Sequence, residues 1–260
     1  MQPTPKILFL YQSLQMPLNR YPIIFLDSVD STNNYAMAQV HAGLAKHGTG
    51  CFAHHQTAGR GQRGKAWHTG QSQNIAFSII IRPNSRAGNQ FYLSAAIALG
   101  CHDFFNKYAG DETKIKWPND LYWRDRKAGG ILIENVLRDK SWKWAIAGIG
   151  ININQSKFSK ELINPVSLKQ ITGKEFDIIL LAKELHKAVM KRVDSLNTST
   201  YKKILQEYNQ HLYKLNQPIK LKKGNVVFTT TVKAVSSHGD LLARDTMEKH
   251  FAFGEVEWVL

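Results

Sequence analysis

Residues 54–70 read HHQTAGRGQRGKAWHTG, and positions 59–65 alone hold three glycines, two arginines and a lysine. The spacing Gly59-x-Gly61-x-x-Gly64 imitates a dinucleotide fingerprint, and Gly59-x-x-x-x-Gly64-Lys65 imitates a phosphate loop. Either motif would commit the chain to a parallel α/β fold in which a helix begins at the glycines and turns its N-terminus to phosphate. The residues that follow, KAWHTGQSQN, form a poor helix. No acidic residue stands about 20 positions on to meet a ribose hydroxyl. Ala66 takes the place of the Ser or Thr that would hold Mg²⁺. Context rejects both motifs. What remains is Arg60, Arg63 and Lys65 on a backbone that glycine leaves free to close over an anion and exclude water. On these residues alone, a nucleic-acid-binding loop and a solvated surface loop stay open beside a catalytic clamp.

The flanking sequence mixes strands with helices. PIIFLD (22–27) reads as a buried strand, and SVDSTNNYAMAQVHAGLA as a helix capped by Ser28 or by Asp30–Ser31. Residues 50–56 form a strand, 57–73 a polar loop, and NIAFSIIIRP a strong strand ended by Pro83. An amphipathic helix over 88–108 precedes short strands at 113–117, 120–123, 128–137 and 142–151, with turns at RDRK and LRDKS. SLKQ (167–170) has capping-box spacing, and 176–196 and 200–213 are helical. After Pro218 the chain becomes short β-segments with turns at Lys223-Gly224 and His238-Gly239-Asp240, the pattern of a barrel of about five strands. The expected organisation is an α+β chain: an N-terminal extension over 1–20, a main domain over 21–215 and a small β-barrel over 216–260. Met16 offers an alternative start.

The net charge of +14, from 34 Lys and Arg against 20 Asp and Glu, suits polyanionic partners: nucleic acid, phosphorylated ligands or an acidic protein. Much of the excess is spread over 174–223. Cys51 and Cys101 stand in no metal or redox spacing, as expected for reduced thiols of a cytoplasmic protein. No apolar run has the length of a membrane span, and KILFLY is too short for a signal-peptide core.

Three further stretches are DSVDSTNNYA (27–36), KWPNDLYWRDRKAGGILIE (116–134) and GIGININ (148–154). Together with QTAGRGQRGKAW, in this order and spacing, the chain resembles the biotin–protein ligases over residues 21 to about 155. The small C-terminal β-domain also fits. The resemblance implies a mixed β-sheet flanked by helices, of the biotin–lipoate ligase kind related to class II synthetases, followed by an SH3-like barrel. It implies ATP, Mg²⁺ and biotin: biotin and MgATP give biotinyl-5′-adenylate and pyrophosphate, and the adenylate then acylates one lysine of a biotin carboxyl carrier protein.

Under that resemblance Lys127 stands between biotin carboxylate and α-phosphate, where two anions need a fixed cation. Arg60 and Arg63 hold phosphates. The biotin site takes in Ser31, Thr32, Asn33, Gln56, Gly59, Arg60, Gly61, Lys127, Gly129 and Gly130, with hydroxyl and amide groups matched to the ureido ring. Ser31 and Thr32 suit helix capping equally well, and Gln56 a strand end. Nucleotide contacts fall to Arg60, Arg63, Lys65, Trp67, Lys116, Asn119 and Asn152. Trp67 covers either the biotin tail or the adenylate, or packs in the core. Asn119 or Asp120 is the magnesium candidate, and Asp120 is also the candidate to take a proton from the incoming lysine. FGEVEW near the end of the chain is a candidate contact for nucleotide or carrier.

Two departures stand out. Gln62 replaces an arginine found in many relatives, which takes one cation from the loop. Only about 20 residues precede the first strand, too few for a winged helix, so DNA binding is not expected. The basic surface then serves to steer an acidic carrier. The oligomeric state stays open between monomer and homodimer. A lipoate ligase of the same fold and a basic nucleic-acid-binding protein are the alternatives.

Overall fold

The computed structural model describes residues 20–67, 70–84, 89–139 and 141–259. The extension expected over 1–20 and the alternative start at Met16 fall, but for Arg20, outside these residues.

Seven strands build the main sheet: β1 (Ile23–Val29), β2 (Gly50–Gln56), β3 (Asn74–Ile81), β4 (Thr113–Lys116), β5 (Asp120–Trp123), β6 (Arg126–Arg138) and β7 (Ser141–Asn152). Their order is β1-β2-β3-β7-β6-β5-β4, parallel between β1 and β2 and antiparallel elsewhere. NIAFSIII occupies β3 near the middle, which is why all eight of its residues are buried. Helix α1 (Thr32–His41) covers one face of β3 and β7. Helices α2 (Gln90–Ala109) and α4 (Ile178–Asp194) pack together, with α4 also against β3. Ile75, Phe77, Ile79 and Ile81 join the large core with Ile97, Leu99, Phe105 and Leu185. Each such fully buried side chain contributes roughly 1.5–3 kcal/mol of transfer free energy.

Side chains of a strand alternate between faces, so the intervening residues of β3 meet those of β7 and β6 on the other side. Across the three strands Ala76, Gly150 and Gly130 align, as do Ser78, Gly148 and Leu132, and Ile80, Ile146 and Glu134. One end of this face is therefore a shelf of small residues. It is bounded by α1, whose Ala36 packs with Ile80 and Ile146.

The local expectations hold with shifted boundaries. Ser167 starts α3 (Leu168–Thr172) with the predicted capping box. α5 (Tyr201–Gln210) is shorter than the expected 200–213, because residues 211–213 bond to β4 through Ile115. The α1 cap differs more. Ser28 belongs to β1, and Ser31 takes the N-cap position without a side-chain cap bond. Instead, Gln56 Oε1 accepts from the Thr32 backbone N–H at 2.8 Å, so the end of β2 satisfies the helix terminus.

From Pro218 onward β8 (Pro218–Lys223), β9 (Val226–Val235), β10 (Leu241–Arg244), β11 (Glu248–Phe251) and β12 (Glu257–Val259) form an antiparallel sheet ordered β11-β10-β9-β8-β12, the five-stranded SH3-like element expected. PIKLKK buries Ile219 and Leu221 and exposes Lys220, Lys222 and Lys223. Trp117 Nε1 donates to the Gly239 carbonyl at 2.9 Å and Trp258 Nε1 to the Trp117 carbonyl at 3.0 Å, fixing this sheet against the KWPND turn. Among the described residues no helix is long and apolar enough to cross a membrane.

Candidate functional site

The shelf is the floor of a cavity of about 600 Å³. Two of its glycines are spoken for by close neighbours. A Cβ on Gly148 would come within 2.3 Å of Asn33 Oδ1, and one on Gly150 within 2.3 Å of the Trp67 ring. Trp67 thus lies flat on β7, and its buried indole Nε1 has no hydrogen-bond partner. A buried N–H left unpaired is costly, and this one stands at the wall of the cavity.

The glycine-rich loop folds over this floor as a closed turn. Arg60 bridges Ala66, Gly61 N donates to Lys65 O at 2.7 Å, and Trp67 N donates to Gly59 O at 2.9 Å. A single 3₁₀ turn over Gln62–Gly64 sits at the tip, with Arg63 in the left-handed region (φ 54°). No continuing helix follows, in agreement with the rejection of both nucleotide motifs.

One end of the cavity is polar and neutral. Ser31, Thr32 and Asn33 reach it from the first turn of α1, and Gln56 from the end of β2. Buried Ser78 lies 2.7 Å from Thr32 Oγ1 and 2.6 Å from Asn33 Oδ1, while Thr32 Oγ1 donates to Gln56 Oε1 at 3.1 Å. Asn33 Nδ2 donates to Glu134 Oε2 at 2.8 Å. The Asn33 amide is thereby occupied at both ends, so it braces the floor rather than offering a free group.

The other end is cationic. Lys127 Nζ stands 2.6 Å from Asp120 Oδ1. Its backbone is pinned by Asn164 O and Val166 N, which sets it on a rigid strand edge. Lys116, 8% exposed, holds its ammonium 5.0 Å from the ring centres of both Tyr122 and Trp258. Burial pushes its pKa down from 10.5 to about 8; Asp120 opposes the shift, and Lys127 and Lys65 add to it. Asn119 Nδ2 donates to the Ile131 carbonyl at 2.8 Å, and Gln62 Nε2 reaches the same oxygen at 3.4 Å.

The cavity wall therefore brings together Ser31, Thr32, Asn33, Gln56, Arg60, Gly61, Arg63, Lys65, Trp67, Lys116, Asn119, Asp120, Lys127, Gly130 and Asn152. Gly59 and Gly129 are not part of the lining. Their Cβ positions are blocked by Trp67 O (2.2 Å) and Gly150 O (2.7 Å), so they serve backbone packing behind the wall. Asn152 spends its Nδ2 on the Val166 carbonyl at 3.1 Å. Arg60 is turned onto Glu134 (2.8 Å) and Asn34 (2.7 Å), and Arg63 onto Glu257 (3.4 Å); the resemblance assigns both side chains to phosphate.

Glu134 and Ser78 are absent from the sequence-based candidates, although each left a signal. Ser78 is the one hydroxyl inside NIAFSIII, and Glu134 shares the face of Gly130 and Leu132 by alternation. The rim was less legible. Glu161–Ile163 and Pro165 also line the cavity, as do Phe253, Val256, Glu257 and Trp258, so FGEVEW does reach it.

The sequence profile of the Biotin/lipoate A/B protein ligase family matches residues 25–152. The chain is 27% identical over 237 residues to the bifunctional ligase/repressor BirA of Escherichia coli (strain K12), covering 90% of this chain and 73% of that protein. It is 27% identical over 225 residues to a biotin–[acetyl-CoA-carboxylase] ligase of Paracoccus denitrificans, covering 84% and 92%. Among solved structures, the biotin protein ligase of Aquifex aeolicus in complex with biotin and ATP superposes with a TM-score of 0.77 at 26% identity, over 92% of this chain and 98% of that one.

Proposed function

The chain belongs to the biotin/lipoate A/B protein ligase family, and on that premise we propose that it joins biotin to a lysine of a biotin carboxyl carrier protein at the expense of ATP. The carrying observation is one cavity with a neutral hydrogen-bonding end and a cationic end, separated by the small-residue shelf. A fused ureido ring suits the first end and a nucleotide phosphate the second.

Biotin's ring lies against Thr32 and Gln56, its aliphatic tail runs along the cavity face of Trp67, which packs on Gly150, and its carboxylate arrives beside Lys127. A carboxylate oxygen attacks the α-phosphorus of ATP, the P–O bond to the β-phosphate breaks, and pyrophosphate leaves. Lys127 offsets the repulsion between the two anions as they meet, a stabilisation that grows with charge transfer in a site shielded from water. Lys116 and Lys65 meet phosphate charge from the adjacent wall. In the second step the amine of the carrier lysine attacks the acyl carbon, the acyl–phosphate bond breaks and AMP leaves. Asp120 is the carboxylate placed to take the amine's proton, because an ammonium is no nucleophile.

Among the described residues no group of three or more His, Cys, Asp or Glu could hold a metal by itself. Asn119 and Asp120 fit a magnesium ion that draws its other ligands from phosphate and water, as this ion prefers. Bound there, it would neutralise phosphate charge. Residues 21–215 carry the chemistry as one domain, and the sheet after residue 216 acts as a second, closing the nucleotide end through Trp258.

The test is incubation of the purified protein with MgATP and either biotin or lipoate, followed by mass analysis of what it retains. A tightly held biotinyl-adenylate is expected, with no lipoyl counterpart. A lipoyl-adenylate, or neither, overturns the assignment.

A further inference from the structure

We infer that Glu134 is a positioning residue that couples closure of the Arg60 loop to the order of the polar floor. The inference rests on the reaction assigned above only in what it says about the intermediate. Glu134 stands on β6, on the face that carries Gly130 and Leu132. Its two oxygens are divided between the loop and the floor. Oε1 accepts from Arg60 Nη2 at 2.8 Å; Oε2 accepts from Asn33 Nδ2 at 2.8 Å and from Arg60 Nη1 at 3.3 Å. A two-point guanidinium–carboxylate contact fixes direction as well as distance.

Beyond Asn33 the hydrogen bonds continue without a break. Asn33 Oδ1 meets Ser78, Ser78 meets Thr32 Oγ1, and Thr32 meets Gln56. Each member stands on a regular element: α1, β2, β3 or β6. Only Arg60 belongs to the loop. Among the described residues Glu134 is thus an acceptor shared by the lid over the cavity and the groups facing the neutral end of a substrate, while Arg60 reaches α1 a second time through Asn34 Oδ1 at 2.7 Å. A substrate that orders Thr32 and Gln56 steadies Asn33 and, through it, the carboxylate that Arg60 grips. The linkage is reciprocal: a closed loop equally pre-orders the floor. Biotin binding and retention of the adenylate become two readings of one coupling.

The two ends of the linkage can be cut separately. Glu134→Gln keeps an oxygen for Asn33 and loses the charge that holds Arg60. Ser78→Ala leaves Glu134 and Arg60 in place and breaks the floor. Both variants are first checked for a wild-type-like thermal unfolding transition. In ligand-free protein, Glu134→Gln is expected to speed amide exchange across residues 59–67 by about fivefold or more, and Ser78→Ala to speed it in the first turn of α1 and, through Asn33, in the loop as well. With biotin and MgATP, Glu134→Gln should raise the release rate of preformed adenylate about tenfold with a smaller change in kcat for its synthesis, and Arg60→Ala should add little in the double variant. Ser78→Ala that leaves loop exchange untouched, or additive losses in the double variant, overturns the coupling. Should wild-type protein form no adenylate while the exchange changes appear as stated, the coupling stands and the assigned reaction falls.

Discussion

Lys127 Nζ lies 2.6 Å from Asp120 Oδ1 where β5 and β6 pair through Asp120 and Gly130. The ammonium is held by a carboxylate on the neighbouring strand and faces a cavity that Lys116 and Lys65 also line. Lys127→Ala should lower adenylate formation by about 10²–10³ or more. The fold should survive, since Ala keeps the backbone bonds to Asn164 and Val166. Pyrophosphate release measures the loss, and near-normal release from folded variant removes Lys127 from the chemistry.

Lys116 gives the site a pH limit. Its folded pKa of about 8 lies below the ordinary 10.5, so the free protein loses this charge as pH rises through 8. ATP affinity should be steady below that point and weaken above it, and Lys116→Met should be weak throughout and flat with pH. The stability term has the opposite sense. Burial penalises the charged form, so the penalty is full below about pH 8 and shrinks as the lysine deprotonates between there and 10.5. Titration of ATP binding from acid to alkaline pH checks the first; a parallel loss in Lys116→Met assigns the limit to another group.

Gln62 reaches the Ile131 carbonyl from the loop tip at 3.4 Å. An arginine there would return a cation to the mouth of the cavity. Gln62→Arg should leave adenylate synthesis intact and slow its escape by about three- to tenfold, the scale of one partly exposed charge-assisted contact. A stopped-flow chase reads the rate, and an unchanged value discards the role.

Gly148 leaves room for the Asn33 amide. A methyl there would sit 2.3 Å from Asn33 Oδ1, and the helix terminus would have to shift. Gly148→Ala should raise the KM for biotin by about tenfold or more while moving that for ATP much less, since it touches only the neutral end. Equal increases for both substrates would mean that the shelf has collapsed as a whole.

The strands and helices were legible because their periods are clean: NIAFSIII is continuously apolar, and PIKLKK alternates. The order and spacing of the motifs carried the family and the lining of the cavity. What the sequence hid lies in pairings between distant segments. Nothing near Arg60 announces Glu134, 74 residues on, or that Gln56 caps a helix beginning 24 residues earlier. Gly59 and Gly129 were assigned to the ligand because glycine signals close approach. The approach is real, but the partner is backbone, and only register and loop geometry distinguish the two. FGEVEW stood out in the sequence as a candidate contact, but the placing of Trp258 against Lys116 and Trp117 required knowing where the second sheet docks.

The alternation of β7 has one more implication. Gly148 and Gly150 lie on the chamber face, and Ile149 and Ile151, which alternate with them, look into the core. Sliding this strand by a single position would fill the chamber with isoleucine and leave holes in the interior. Vacancy on one side and solidity on the other are a single property of the strand, so selection cannot adjust either without disturbing both.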